Sequence, residues 1–515
     1  MAPAPERPAR DELTILKELA DWAFKCQSNG MLRKSQHPMG DILSVFRALG
    51  ARVTEAGDRR EMLHYYERLS GFYRHWLSWD GARKPTLDQA CVFYDLLYMI
   101  KWRSINEPAD LTSFNPDVLE PFLRFASGFA WPGVPVDRRR PGGDGIPRLA
   151  YIASWNNLSS ANACARVTWT TILGHMAART GGVPVVVYCA VPPAPDLVEA
   201  ARKASVVLKN MWRNGSPVES ARAILCEAES DGIDALVFDT PDSLATLLVA
   251  KRAAPVQVYL EMGFDAWRAP NIEFCFQCFS VRWTELVSSP DRCARLPLID
   301  HIDFLAPERS PAEIEALRRT VSAALPDGRG PDIVYGFFGR MTKVSLPWLR
   351  LVERILKQVP RGVCYIGGGG GQNPVVESFL RQSSVASRII YHPKYVDGHV
   401  VGRVIDTFLD TFPFPGSLAC LECQAKGVPV VWMPEGYRDQ MAERLEIYRD
   451  GSLRADNQED FVRLAVELVD KGRRAEASAA AMALANKFGN GEENAAKIDG
   501  VIMGLARPAL ALAPA

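Results

Sequence analysis

VIDTFLDTFPFPGSLACLECQAKGVPVVWM, residues 404–433, decides the fold. An apolar run ending at Asp410 and Thr411 predicts a strand, FPFPGS a turn, residues 418–426 a short helix and residues 428–433 a second strand. That is one βαβ unit. Gly416 and Ser417 stand where the helix begins, Gly427 where a residue of positive φ is needed after its end, and Pro429 where it must stop. A helix that opens after a glycine turn at the carboxyl end of a strand offers unpaired N–H groups and a positive dipole end to an anion. One turn on, Glu422 is suited to accept hydrogen bonds from sugar hydroxyls. Together these residues suggest a nucleotide-sugar seat; on this stretch alone, an ordinary βαβ element of any doubly wound sheet is the more common explanation.

Working outward, the same alternation repeats. Strand 333–338 leads into GRMTK, helix 346–358, strand 363–366, the run GGGGGQN, helix 375–382, strand 388–392 and the loop PKYVDGH. Helices 458–471 and 474–486 close this half. Further upstream come strand 149–154, the polar loop WNNLSSANA, helix 163–178, strand 183–190, helices 196–212 and 216–230, strand 235–238, helix 244–251 and strand 256–261, which ends in MGFDAWRAP. Such β–α repetition makes a mainly parallel sheet covered on both faces, with ligands at the carboxyl ends of its strands. Two such halves, joined near residues 326–332 after the amphipathic segment SPAEIEALRRTVSAAL, predict paired Rossmann-like domains facing a cleft, the glycosyltransferase B architecture.

Residues 11–126 read differently, with apolar residues at helical spacing and no strand signal. Their aromatic stripe (Trp22, Tyr65, Tyr66, Phe72, Tyr73, Trp76, Trp79) serves a bundle core, or an acceptor-binding face. No repeat of about 34 residues is present, so a tetratricopeptide array is not supported. The segment DRRRPGGDGIP marks the clearest boundary. The expected division is an all-α domain at 1–136 with a role in acceptor recognition, a first Rossmann-like domain at 148–326 on the acceptor side, and a second at 327–500 for the nucleotide-sugar.

With 515 residues, 48% hydrophobic and 23% charged, the chain has the composition of a soluble globular enzyme. Sixty basic residues balance sixty acidic ones, which gives no global field toward nucleic acid or an anionic membrane. MAPAPERPARDEL lacks an apolar signal region and no run reaches the length of a membrane span, so a cytoplasmic location is expected. Eleven scattered cysteines suit a reducing compartment. Cys275/Cys278 and Cys420/Cys423 form two CxxC pairs, which read as buried small hydrophobes before they read as a zinc site. The sequence leaves the oligomeric state open.

Lys343, shortly after a strand, is a point charge able to stabilise a diphosphate and the leaving group that develops from it. The glycines at 367–371 resemble a phosphate-cradling loop but lack the spacing of the established motifs, and read better as a loop beside the cleft. His392 and His399 flank the loop before the opening unit, where an imidazole can meet a nucleobase. An inverting sugar transfer needs a general base near the acceptor, for which Asp265 is the first candidate, Asp239 the second, and Glu261 lies nearby. No DxD metal motif suits the architecture, and DHID at 300–303 reads as structural.

FFGRMTK, RIIYHPKYVDGHV, FLDTFPFPGS, KGVPVV and APVQVYLEMGFDA, each weak alone but together in the right order over two domains, resemble the catalytic region of family 41 glycosyltransferases, over roughly residues 148–431. That family includes the O-GlcNAc transferases and the bacterial cytoplasmic N-glycosyltransferases that modify adhesins. The resemblance implies that Lys343 contacts the diphosphate, that the turn Gly416–Ser417 and the N–H groups of Leu418 and Ala419 hold phosphate oxygens, and that Glu422 occupies the place of the ribose-binding acid. It further implies that Lys394, Tyr395 and His399 line the uracil pocket, with a UDP-sugar as donor substrate and no separate cofactor or metal. The family acid is an Asp where this chain has Glu422. A family histidine in the first strand-to-helix loop has no counterpart in WNNLSSANA, which offers Asn157 and Ser159 instead. The expected activity is sugar transfer, inverting and metal-independent, to a protein acceptor such as an adhesin or flagellin. A retaining enzyme acting on a lipid or glycan, and a noncatalytic binding module on the same fold, are the alternatives.

Overall fold

The computed structural model describes residues 59–79, 84–104, 113–131, 146–154, 163–179, 184–213, 215–262, 267–278, 292–297, 299–325, 329–369, 373–412, 415–434, 453–489 and 491–506. Among the described residues three helical pieces come first: α1 (Arg59–Leu77), α2 (Leu87–Ser104), and a π-helical turn (Asn115–Leu119) continuous with α3 (Glu120–Ser127). The first α/β half follows as β1 (Leu149–Ala153), α4 (Ala163–Ala178), β2 (Val186–Cys189), α5 (Pro195–Lys203), β3 (Val207–Asn210), α6 (Pro217–Ser230), β4 (Ala235–Phe238), α7 (Ser243–Ala250), β5 (Val256–Glu261), β6 (Phe274–Gln277) and β7 (Cys293–Arg295). After α8 (Ile302–Leu305) and α9 (Pro311–Ser322) comes the second half: β8 (Ile333–Phe338), α10 (Leu346–Gln358), β9 (Gly362–Gly367), α11 (Pro374–Gln382), β10 (Ile389–His392), α12 (Gly398–Val401), β11 (Thr407–Leu409), α13 (Leu418–Gln424), β12 (Val430–Trp432) and β13 (Leu453–Arg454). Three helices end the chain, α14 (Gln458–Glu467), α15 (Lys471–Phe488) and α16 (Glu492–Ala506).

The first sheet has strand order β3-β2-β1-β4-β5-β6-β7 and the second β10-β9-β8-β11-β12-β13. Every pairing in both is parallel. Each is a Rossmann-like sheet whose order reverses beside its first strand, which opens a crevice at the carboxyl ends of β1 and β4 in one half and of β8 and β11 in the other. The expected α/β class, two Rossmann-like units of glycosyltransferase B type preceded by helices, is therefore the observed one. One expected element is wrong. The helix read through residues 196–212 stops at Lys203, because Ser205 turns the chain at φ +59°, and Val207–Asn210 forms the edge strand β3 instead.

Alternate residues of β1, β2 and β4 face opposite cores, as the pleat requires. Leu149, Tyr151, Val187 and Val237 join the core shared with the second half, while Ala150, Ile152, Tyr188 and Leu236 pack toward the N-terminal helices. In those helices Tyr65, Tyr66, Phe72, Tyr73 and Trp76 are buried, so the described part of the aromatic stripe is core; Trp22 lies outside the described residues. Two carboxylates fasten this layer. Asp88 and Asp95 stand two helical turns apart on α2. Asp88 accepts from the Ser216 hydroxyl (2.8 Å) and the Val218 N–H (3.3 Å) at the start of α6. Asp95 accepts from the Ser243 N–H (2.7 Å) and hydroxyl (2.8 Å) at the start of α7. Both sit at positive helix ends, where a carboxylate is favoured.

The final helix α16 leaves the second sheet and lies on α4. Asp499 pairs with Arg179 at 2.5 Å and with buried His175 at 3.3 Å, and His175 shares a 2.9 Å hydrogen bond with the Tyr151 hydroxyl. Gly174 and Gly491 meet backbone to backbone, since a Cβ on Gly174 would stand 2.2 Å from Gly491 C.

Asp242 lies close to Asp95, and burial pushes its pKa up to about 7, while burial and then the Asp242 charge push Asp95 well above the usual carboxylate range. Acids whose folded pKa is raised bind more protons folded than unfolded, so their contribution to stability is full below about pH 4 and is lost as pH rises toward their folded values. Asp95→Asn keeps an acceptor for Ser243 and removes one charge. Its melting temperature relative to wild type should therefore be higher at pH 8 than at pH 5, whereas Asp95→Leu should cost about 1–3 kcal/mol at both by leaving Ser243 unsatisfied. Calorimetric melts at the two pH values measure both effects.

Candidate functional site

The second sheet's crevice gathers loops from β8, β10 and β11, and most of the residues expected from sequence lie on them. After β11, buried Asp410 accepts from its neighbour Thr411 N–H (2.8 Å) and from Gly416 N–H (2.6 Å), closing the turn so that α13 starts directly beyond the strand. A Cβ at Gly416 would stand 2.9 Å from both Asp410 Oδ1 and Cys420 Sγ, so only glycine fits. Ser417 follows at φ +56°, ψ −115°, a backbone conformation costing a non-glycine residue roughly 1–3 kcal/mol. Gly427 ends the unit at φ +76°. The helix is seven residues long. At its start the Ala419 N–H turns back to Gly416 O at 3.3 Å, and Leu418 N–H has no hydrogen-bond partner among the described residues.

Lys343 closes the 3-10 turn Met341–Lys343 after β8, and its Nζ donates to Pro415 O at 2.6 Å. The expected meeting of lysine and glycine turn is thus present, with the ammonium beside the start of α13. Arg340 stands at the mouth of the same loop. It is open to solvent yet enclosed enough that burial lowers its guanidinium pKa, with Cys164 of α4 acting in the opposite sense. The glycine run braces this loop: Gly339 N–H donates to Gly367 O (3.1 Å), Met341 N–H to Gly369 O (2.9 Å), and a Cβ at Gly368 would collide with Gly339 O at 1.6 Å. Close packing accounts for Gly367, whose Cβ would stand 2.7 Å from the Tyr365 ring, and for Gly368 against the Gly339 backbone, while a Cβ at Gly369 would meet nothing within 4 Å.

Beyond β10, Lys394 and Tyr395 are exposed, Tyr395 to 76%. Asp397 caps α12 through the His399 N–H (2.8 Å) and is itself held by Arg309 at 2.6 Å. The His399 ring lies deeper. Burial lowers its pKa to about 3, with Lys426, Arg166 and Arg309 adding to the effect, and its Nδ1 is buried without a partner among the described residues. A neutral imidazole with an unused nitrogen suits a nucleobase edge.

Glu422 is not simply open to the mouth. Its Oε1 accepts from Arg166 Nη2 at 2.5 Å, and Arg166 Nε donates to Asp300 Oδ2 at 2.6 Å. Arg166 and Asp300 were not singled out from sequence, and DHID, read as structural, supplies Asp300. A signal existed: Arg166 is the only Lys, Arg, Asp or Glu in the α4 sequence ACARVTWTTILGHMAA, and an arginine buried in an apolar helix must be paired. Burial pushes Asp300 up to about 7 despite Arg166, and lowers Lys426 to about 8. Lys426 Nζ donates to Leu305 O (2.6 Å) and to Glu422 O (2.8 Å).

In the first half, Asp239 at the end of β4 accepts from the hydroxyls of Thr168 (2.7 Å) and Thr240 (3.0 Å). Glu261 ends β5, fully buried. Asp265, Asn157 and Ser159 lie outside the described residues. The CxxC pairs sit apart, one on β6 and one on α13, and among the described residues no group of three or more His, Cys, Asp or Glu gathers as a metal site. No described helix is long and apolar enough to cross a membrane.

The class these sheets define is the two-domain α/β fold of glycosyltransferase B type. The chain is similar to a lysine-to-methionine mutant of Thermobaculum terrenum O-GlcNAc transferase, with 18% identity, 97% of this chain and 99% of that chain covered, and a TM-score of 0.51. It is also similar to a glycosyltransferase from Rickettsia africae (14% identity, 70% and 100% covered, TM-score 0.49) and to Anabaena HepE in complex with UDP-glucose (13%, 69% and 99%, 0.47). No family model matches the chain, and no curated protein does. At 18% identity the first likeness carries the fold, across nearly the whole length of both chains.

Two outcomes test the site's physical description. The His399 imidazole should show no titration between pH 8 and pH 5 in histidine-selective NMR, because its folded pKa lies near 3; a midpoint near 6.5 would contradict its enclosure. Gly416→Ala should destabilise by about 1–3 kcal/mol in denaturant unfolding, since its Cβ must displace Asp410 or Cys420.

Proposed function

We propose that this protein is a glycosyltransferase that moves a sugar from a UDP-sugar to a protein acceptor, an adhesin- or flagellin-like chain modified on Ser, Thr or Asn, with inversion and without a metal. One observation carries the proposal: Lys343, the glycine turn at Gly416–Ser417, Glu422 and His399 converge at the switch point of the second sheet. Lys343 supplies fixed positive charge where a diphosphate would rest and where negative charge grows as the sugar leaves. The Leu418 N–H and the Ser417 hydroxyl add donors, and Arg340 adds a second cation from the same loop. His399, neutral at working pH, would take the uracil edge, and Glu422 the ribose hydroxyls.

The sugar would then face the first half, where Asp239, held by two hydroxyl donors, is a base candidate with Asp265. A base there takes the proton of the acceptor hydroxyl or amide as the acceptor attacks the anomeric carbon and UDP departs. The N-terminal helices, fastened to that half through Asp88 and Asp95, would extend the acceptor-facing surface as a rigid part of it.

Lys343→Ala should weaken UDP binding and lower turnover by roughly 10²–10³-fold. Titration calorimetry and a UDP-release assay measure the two. Wild-type protein that binds no UDP, or a variant with unchanged kinetics, would refute the site. Intact-mass analysis of candidate surface proteins from cells with and without the gene tests the acceptor, since the added mass names the sugar.

A further inference from the structure

Arg166 belongs to the first half and Glu422 to the second, so their ion pair crosses the cleft. The guanidinium side chain is 5% exposed and shared between two carboxylates. Such a buried triad seldom stabilises a fold more than apolar residues of the same volume would, which directs attention to what it positions. The two oxygens of Glu422 are used differently. Oε1 takes Arg166; Oε2 lies against Gly398, 3.4 Å from where a Cβ would stand, and accepts no hydrogen bond from the described residues. Gly398 begins α12, the helix that carries His399, whose buried Nδ1 is likewise unpartnered. An unengaged acceptor on α13 therefore stands beside the start of α12, next in sequence to a residue whose buried ring nitrogen is also unpartnered.

Arg166 is in turn fixed from behind. Asp300 donates its N–H to Phe488 O at 3.2 Å, and His301 donates its N–H to Thr170 Oγ1 at 2.7 Å, one turn along α4 from Arg166. Asp300 is thus anchored where the halves join, and it orients the guanidinium that grips Glu422.

We propose that Arg166 is a positioning residue for ribose recognition: by holding Oε1 of Glu422 from the opposite half, it aims Oε2 at the ribose hydroxyls of a nucleotide whose base reaches His399. The inference rests on the UDP-sugar reading above and deepens it. A carboxylate with one oxygen engaged by arginine keeps its other oxygen as an acceptor, which fits the O–H donors of a ribose diol. The arrangement also couples the halves, because the acceptor for ribose in one is set by a residue of the other.

The test is titration calorimetry of wild type, Arg166→Lys and Arg166→Gln with UDP and with 2′,3′-dideoxy-UDP. Arg166→Gln should lose roughly tenfold or more in UDP affinity, the scale of a hydrogen bond to a charged group, and Arg166→Lys should lose less. For the dideoxy nucleotide, wild type and Arg166→Gln should bind alike, because the interaction that Arg166 supports is already missing. Equal losses with both nucleotides would mean that Arg166 only supports the fold, and unchanged UDP affinity would mean that Glu422 needs no positioning; either overturns the proposal. Wild type that binds neither nucleotide overturns the UDP reading itself and the ribose role with it. Removing Arg166 leaves Asp300 and Glu422 close together without their counter-charge, so Arg166→Gln with Asp300→Asn is the second variant. It removes that repulsion and must show the same contrast between the two nucleotides.

Discussion

A guanidinium buried between two carboxylates sets the relation between the halves of this protein. Charge is tolerated in a low-dielectric interior only when it is paired and hydrogen-bonded, and the planar fork of arginine fixes the direction of each bond as well as its length. Arg166 uses Nε for Asp300 at the junction and Nη2 for Glu422 on α13, so one side chain ties the first half, the junction and the second half. Lys426 repeats the connection with main-chain acceptors, joining Leu305 to the same α13 turn, and Arg403 Nη2 donates to Ala306 O and Pro307 O. Apolar packing around these groups supplies cohesion without direction. The polar contacts supply the direction, and they lie at the floor of the crevice where a ligand would sit.

Above that floor, the site is built by closing loops tightly onto strand ends. Asp410 draws the chain back within a few residues of β11, Gly416 makes room for the approach, and Lys343 is held to the carbonyl of Pro415 in the same turn. The neighbouring loop is drawn in by Gly368 packing on Gly339. Each closure is purchased with backbone that no side chain can occupy, which is why the glycines stand at these places and why Ser417 sits in a conformation it does not favour.

Much of this was legible in the sequence. The β–α alternation, with Ile333–Phe338, Val256–Glu261 and Ala235–Phe238 read in register, defined two parallel sheets, since continuous apolar strands between amphipathic helices have few other solutions. Lys343 and the glycine turn came from local spacing, because both follow strands by short loops. What escaped was long-range. Arg166 and Asp300 are far apart in sequence and carry no motif, and a helix-by-helix reading cannot say which carboxylate an arginine will meet. The edge strand Val207–Asn210 escaped for another reason: VVLKN reads as a continuation of the helical pattern that Ser205 ends just before it, and the strand is half exposed, so it lacks the apolar texture of its neighbours.

The apolar first turn of α13 takes on a different meaning in three dimensions. Leu418 and Ala419 look unsuited to an anion when read as a sequence, since polar side chains are expected there. In the structure Leu418 is 4% exposed, with its side chain in the core of the second half, and Ala419 packs against the same core. These side chains do not face the crevice, so their hydrophobicity holds the helix down without opposing charge above it. What the turn can offer a phosphate is backbone, and part of that is spent, because the Ala419 N–H bends back to Gly416. A short helix with one N–H engaged is a weak anion seat by itself. The positive charge must come from the adjoining strand's loop, and Lys343 and Arg340 both stand on it. On the proposed reading, phosphate affinity falls to the loop after β8 and ribose orientation to α13, so the two carboxyl ends flanking the switch point would divide between them what a longer helix with a polar first turn would do alone.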